Sequence, residues 1–131
     1  MQMQMHHHDI YEQISGWIQE LPLRGNALAD PWSGVVVNAN CATCAHHDIG
    51  DDNVCMVLAV SDCKGVDLVY QEIGLVFAAH NGDASLFRSV SLTHFNLNFK
   101  GTRGSLVFHS DKAGHRWGKD ANGWKDNVYF S

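Results

Sequence analysis

Residues 54–60 read VCMVLAV, seven apolar residues without a break. A run this short, β-branched at Val54, Val57 and Val60, suits a strand. With no polar alternation, such a strand must be covered on both faces. A chain that contains it therefore needs a sheet with something packed on each side. Turn signals follow at regular intervals, at Asp62–Gly65, Asn81–Asp83, Lys100–Gly104 and Asn122–Gly123. Asn-Gly tolerates the positive φ of tight hairpins, and the segments between the turns are rich in Val, Phe, Leu, Tyr and Thr. Val35–Val37, soon after Pro31, forms a further β-branched run.

Upstream of Pro31 the periodicity is different. Ile10, Ile14, Trp17, Ile18 and Leu21 recur at spacings of three and four, which predicts a helix over 9–21 with one apolar face. Asp9 suits the N-cap, Glu12 completes a capping-box pattern, and Pro22 stops the helix. Residues 1–8 read as a disordered leader ahead of a single domain over 9–131, and the triple His at 6–8 is left out of the site reading.

Two segments carry more information about shape. Val66–His80 fits either period; its β-branched and aromatic content, with Gly74 in the middle, favours a strand over a helix. In Leu86–Phe99 the apolar positions change phase, from Leu86, Val90 and Leu92 to Phe95, Leu97 and Phe99. Side chains alternate along a strand, so this change predicts a bulge near Thr93 and His94 and a strongly curved sheet. The expected fold is α+β: an N-terminal helix on a curved, mostly antiparallel meander of about five or six strands that folds around the helix or partly closes on itself.

The formal net charge is −5, which disfavours a nucleic-acid backbone or an anionic membrane as partner. No run approaches the length of a membrane span and no secretory signal opens the sequence, so a cytoplasmic location with the four cysteines reduced is expected.

Chemistry concentrates in NANCATCAHHDIGDDN, residues 38–53. Cys41 and Cys44 have the C-x2-C spacing with which two thiolates hold zinc, and one histidine, His46 or His47, with one distal cysteine, Cys55 or Cys63, would complete the set of four. A second ligand pair at zinc-finger spacing is missing, so the expected cofactor is none, with zinc as the alternative. His46, His47, Asp48, Asp51 and Asp52 are the residue types of a hydrolytic metal site, although in a polar loop Asp and Gly also simply shape turns. His109, Asp111 and His115 form a second polar group after a strand. On the phase-shifted strand, Thr93, His94, Asn96 and Asn98 form a polar stripe expected to contact ligand if it faces the hollow of the sheet. Trp117 and Trp124 flank 118–123 and would pair across a hairpin; Trp17 belongs to the helix core face.

These features favour a non-catalytic binding protein, of inhibitor or immunity type, that holds a small molecule or protein partner in the sheet's hollow or along its rim. The competing reading is a small hydrolase or isomerase with catalytic residues among His94, His109 and Asp111. A zinc-stabilised interaction module is the third. Convergence of two or more of His46, His47, His94, His109 and His115 in the hollow would favour the enzyme. The oligomeric state stays open, a homodimer included.

Overall fold

The computed structural model describes residues 2–21, 26–62, 65 and 67–114. Cys63, His115, Trp117, Trp124 and the hairpin expected at 118–123 lie outside them, as does the side chain of Trp17. Two short helices, α1 (Gln2–His6) and α2 (His8–Glu20), precede seven strands: β1 (Gly34–Ala39), β2 (Asp51–Ala59), β3 (Leu68–Tyr70), β4 (Leu75–Phe77), β5 (Ala84–Phe87), β6 (His94–Asn96) and β7 (Gly104–Asp111). The segment expected as a leader thus carries α1. Helix α2 has His7, not Asp9, at its N-cap and so begins two residues earlier than the capping pattern suggests; Asp9 lies in the first turn, where a carboxylate suits the positive helix end. No helix among the described residues is long and apolar enough to cross a membrane.

All strand pairs are antiparallel, but they do not form one meander. They make two sheets, ordered β1-β7-β2-β5 and β4-β3-β6. The chain crosses from one sheet to the other after β2, β4, β5 and β6, so the strands form a two-layered sandwich. The expected single curved sheet is corrected accordingly. The phase change in 86–99 is no bulge near His94: β5 ends at Phe87 in the larger sheet, a turn intervenes, and β6 begins at His94 in the smaller one. Two strands on different sheets have independent phases. Likewise 68–77 is not one strand but a β3–β4 hairpin, turned at Gly74 with φ +61, a conformation glycine adopts without strain. An irregular register does occur, in β2 between Asp52 and Met56, where Asn53 has φ +59.

The larger sheet is packed on both faces. One face meets α2: Ile14, Ala29, Trp32 and Val54 are buried together, with Val35, Met56, Leu86 and Phe108 against them. Trp32 donates its indole N–H to the Val54 carbonyl at 3.0 Å, which satisfies the polar atom of this buried ring. The other face meets the smaller sheet through Cys55, Leu68, Tyr70 and Phe87. The expectation therefore holds for 54–59 along β2, with Val54 facing the helix and Cys55 facing the second sheet, while Val60 lies past the strand end and is exposed.

Cys55 is fully buried, and burial pushes its thiol up to about 12. At pH 8 roughly one molecule in ten thousand would carry the reactive thiolate. Iodoacetamide at pH 8 is expected to label the exposed Cys44 of the folded protein and spare Cys55 until denaturant is added. Peptide mass mapping that finds Cys55 labelled in the native state would contradict the two-sided packing of β2.

Candidate metal centre and adjoining cavities

The face of β7 between the sheets presents Arg103, Ser105, Val107 and His109 in a row, Arg103 sitting just ahead of the strand. Strand alternation puts these residues on one side and spaces them about 7 Å apart. The row has a cavity at each end. At the Arg103 end, Val57, Ala59, Leu68, Phe77, Ser85 and Ser105 line a small, partly open space of about 20 Å3. At the His109 end, Val36, Val107, Asp48 and Asp51 line a more open cleft of about 160 Å3.

Asp48 of that cleft also belongs to a cluster with His46 and His94, whose ligating atoms are all within 4.8 Å of one another. His94 opens β6 and points inward, opposite Tyr70 in β3. His46 belongs to the loop that crosses between β1 and β2. It reaches β6 by a reciprocal bridge, His46 N–H to the His94 carbonyl at 3.2 Å and the reverse at 3.1 Å. In that extended stretch His46 and Asp48 are two residues apart and so fall on one face. Asp48 is held by its own N–H, which donates to the Ser89 carbonyl. Thr43 pins the loop further up: its N–H and hydroxyl both donate to Asn96 Oδ1, at 2.9 and 2.7 Å.

The proton positions on the two imidazoles follow from their partners. His46 Nδ1 lies 2.7 Å from the Cys44 carbonyl and His94 Nδ1 lies 2.9 Å from the Leu92 carbonyl. A carbonyl oxygen only accepts, so each Nδ1 carries the proton and each neutral ring turns an Nε2 lone pair inward. Those lone pairs face the same carboxylate, at 3.4 Å to Asp48 Oδ1 and 3.3 Å to Oδ2. Electron pairs opposed in this way are reconciled by a cation among them or by protonating the rings. The Nδ1–carbonyl bonds are the outer contacts that orient metal-bound histidines. The residues present therefore fit a divalent ion held by two histidines and one carboxylate.

At the cleft end, His109 Nδ1 stands 3.3 Å from Asp51 Oδ1. The ring nitrogen is nevertheless buried without a hydrogen bond, so the contact is electrostatic and the N–H is not aimed at the oxygen. Gly34 leaves room for this ring, since a Cβ there would come within 3.0 Å of His109 Nε2. Burial raises the Asp51 carboxyl above its ordinary value, opposed by the hydroxyl of Ser89, which donates to Oδ2 at 2.6 Å.

At the other end, Arg103 is buried. Nη1 donates to the Cys41 carbonyl at 2.7 Å, the guanidinium lies 5.9 Å from the centre of the Phe99 ring, and Nε has no partner. Gly104 beside it permits a close approach, because a Cβ would sit 2.7 Å from the Val60 carbonyl oxygen. Tyr70, pushed up to about 12 by burial, hydrogen-bonds Ser85 at 2.5 Å and stacks edge-on against Phe87, which in turn abuts the His94 ring. Leu68, two residues from Tyr70 on β3, lines the Arg103 cavity, so cavity and cluster are neighbours along one strand.

Of the sequence candidates, the structure brings together His46, Asp48 and His94, and separately His109 and Asp51. Cys41 and Cys44 contribute backbone carbonyls, to Arg103 and His46, and neither thiol joins the cluster. Thr93, His94, Asn96 and Asn98 do not share a face: His94 and Asn96 are buried between the sheets, Thr93 points outward to Glu72 and His47, and Asn98 is exposed beyond the strand end. Asp111 caps the turn after β7, accepting from the Ala113 N–H. Arg103 and Glu72 were not among the candidates.

No protein-family model matches the chain, and no curated protein is similar to it in sequence. Among solved structures the chain is similar to one described as NgTET1 in complex with 5mC DNA, with a TM-score of 0.68 and 13% identity. The match covers 78% of this chain and 42% of that one, so this chain spans less than half the length of its structural neighbour. At that identity the likeness is one of fold.

Proposed function

We propose that the protein is a metal-dependent oxygenase whose ferrous ion is held by His46, Asp48 and His94. The observation that carries the reading is the convergence of two proton-locked imidazoles on one carboxylate, described above. Two histidines and a carboxylate on one side of an ion leave other positions open, the ligand set of non-haem iron oxygenases, and a thiolate-free site suits iron better than structural zinc. When bound, the ion would supply the redox chemistry with dioxygen.

Arg103 favours oxygen chemistry over hydrolysis. A buried guanidinium with an unpaired N–H calls for an anion, and it forms no ion pair among the described residues. Inserting one oxygen atom from dioxygen into a C–H bond requires two further electrons. A 2-oxo acid provides them: substrate, dioxygen and 2-oxo acid become hydroxylated substrate, carbon dioxide and the shortened carboxylic acid. A second carboxylate on that acid would be gripped by Arg103 with Ser105 beside it. Side chains at the cavity, Phe77 among them, must move to admit it, since its volume is what about one water fills.

The cleft at the other end would take the substrate. Asp51 offers an acceptor and His109 a donor, a pair that matches an amino-pyrimidine edge, whose exocyclic amine donates and whose ring nitrogen and carbonyl accept. The structural neighbour's complex with 5mC DNA makes a methylated cytosine the first substrate to test. The net charge of −5 weighs toward a short single strand or a free base, not a long duplex.

The decisive experiment supplies ferrous ion, 2-oxoglutarate and oxygen, and measures succinate. Oxygen-dependent succinate release is expected, and Arg103→Leu should lower kcat/KM for 2-oxoglutarate by about 100-fold, as loss of a buried charge-assisted pair implies. With a methylcytosine oligonucleotide present, mass spectrometry should show a gain of one oxygen. Absence of succinate under all these conditions would overturn the oxygenase reading.

A further inference from the structure

We infer that Glu72 is a positioning residue for the metal cluster: from the turn between β3 and β4, its carboxylate holds the segment carrying His46 and Asp48 against the segment carrying His94. This rests on the metal reading above. The two ligand-bearing segments are far apart in sequence; the His46–His94 bridge joins them at the ligands themselves, and Thr43 bonds Asn96 further up. Alternation sends His46 inward and His47 outward, and likewise His94 inward and Thr93 outward. The ligands occupy one side of the paired segments, and the residues next to them emerge together on the other.

Glu72 meets them there. The Thr93 N–H donates to Oε2 at 2.7 Å, and the Thr93 hydroxyl donates to Oε1. That hydroxyl also accepts from the His47 Nε2–H at 2.9 Å, and His47 Nε2 lies 3.4 Å from Oε1. One carboxylate thus ties the residue between His46 and Asp48 to the residue before His94. The Gln71 N–H donates to the Thr93 carbonyl at 3.0 Å and fixes the turn beneath it. Hydrogen bonds from Thr93 hold the Glu72 carboxyl down at about 2, so the acceptor stays ionised in neutral solution.

The network is exposed, so it adds little to global stability. Its effect falls on registration of the ligands, where loss of an outer contact costs metal affinity. Glu72→Gln keeps the size but replaces one of the two acceptor oxygens with a donor. Titration of the full chain with manganese(II) is expected to give a Kd raised roughly 10- to 100-fold over the parent. The melting temperature of the metal-free protein should stay unchanged while the rise induced by metal shrinks. The cobalt(II) absorption spectrum at saturation should shift, and Glu72→Asp should recover part of the affinity. A manganese Kd equal to the parent's overturns the inference and leaves the metal site standing. An equal fall in melting temperature with and without metal overturns it too, since that is a merely structural role. A parent that binds no manganese overturns both readings.

Discussion

His94→Ala and Asp48→Ala should each abolish stoichiometric binding of ferrous or manganous ion. Each removes one of three groups whose ligating atoms lie within 4.8 Å of one another. The loss should exceed the roughly 100-fold that marks removal of an outer contact, and succinate release should fall to background. The parent protein should melt at a higher temperature when metal is added, because a ligand that binds only the folded state stabilises it by mass action. Both variants should lose that increment. A Cys41→Ser, Cys44→Ser double variant should retain full metal affinity, since neither thiol approaches the cluster. Retained affinity in His94→Ala would overturn the assignment of the ligands, and loss of affinity in the cysteine variant would favour the zinc-module reading instead.

The second large effect lies in the core. Trp32→Ala removes a buried ring that packs 5.8 Å from the ring of Phe108 and among Ile14, Ala29 and Val54. Removing a buried aromatic costs about 3–5 kcal/mol. The Val54 carbonyl also loses its donor, at a further cost of about 1–3 kcal/mol. Against a total stability of about 5–15 kcal/mol for an ordinary domain, this variant should be largely unfolded or close to it. Trp32→Phe separates the two contributions, since it restores much of the volume without the N–H. Urea denaturation should place Trp32→Phe between the parent and Trp32→Ala. A loss under about 1 kcal/mol for Trp32→Ala would mean that α2 and β2 are not packed through this residue.

Helix α2 and strand β2 could be read from residue order because their signals are local. Ile10 and Ile14 declare a helical face within two turns, and the unbroken run of 54–60 demands cover on both sides. The alternation of Thr93, His94, Phe95 and Asn96 also declares two faces. What it cannot declare is which neighbour each face meets, and so the phase change at 86–99 reads equally as a bulge or as a crossing between sheets. A similar gap hid the β3–β4 hairpin, because Gly74 weakens a strand and turns a hairpin by the same freedom at positive φ.

The site divides along the same line. Residue type marks His46 and Asp48 in one group and His94 in another. The spacing of His46 and Asp48 at i and i+2 is the signal that pairs them, since an extended segment presents such a pair on one face. Arg103 lay in a run of turn residues, and its chemistry comes from burial, which no local pattern records. Residue order alone determined helix α2, the two-sided burial of β2 and the residue types able to bind a cation, because these follow from short-range periodicity and side-chain chemistry. Only the tertiary structure decided that β6 lies against the 41–48 loop, that two imidazoles turn their lone pairs on one carboxylate, and that Arg103 ends buried beside them. Those outcomes depend on antiparallel pairing between distant segments, whose partners are chosen by the packing of the whole sandwich.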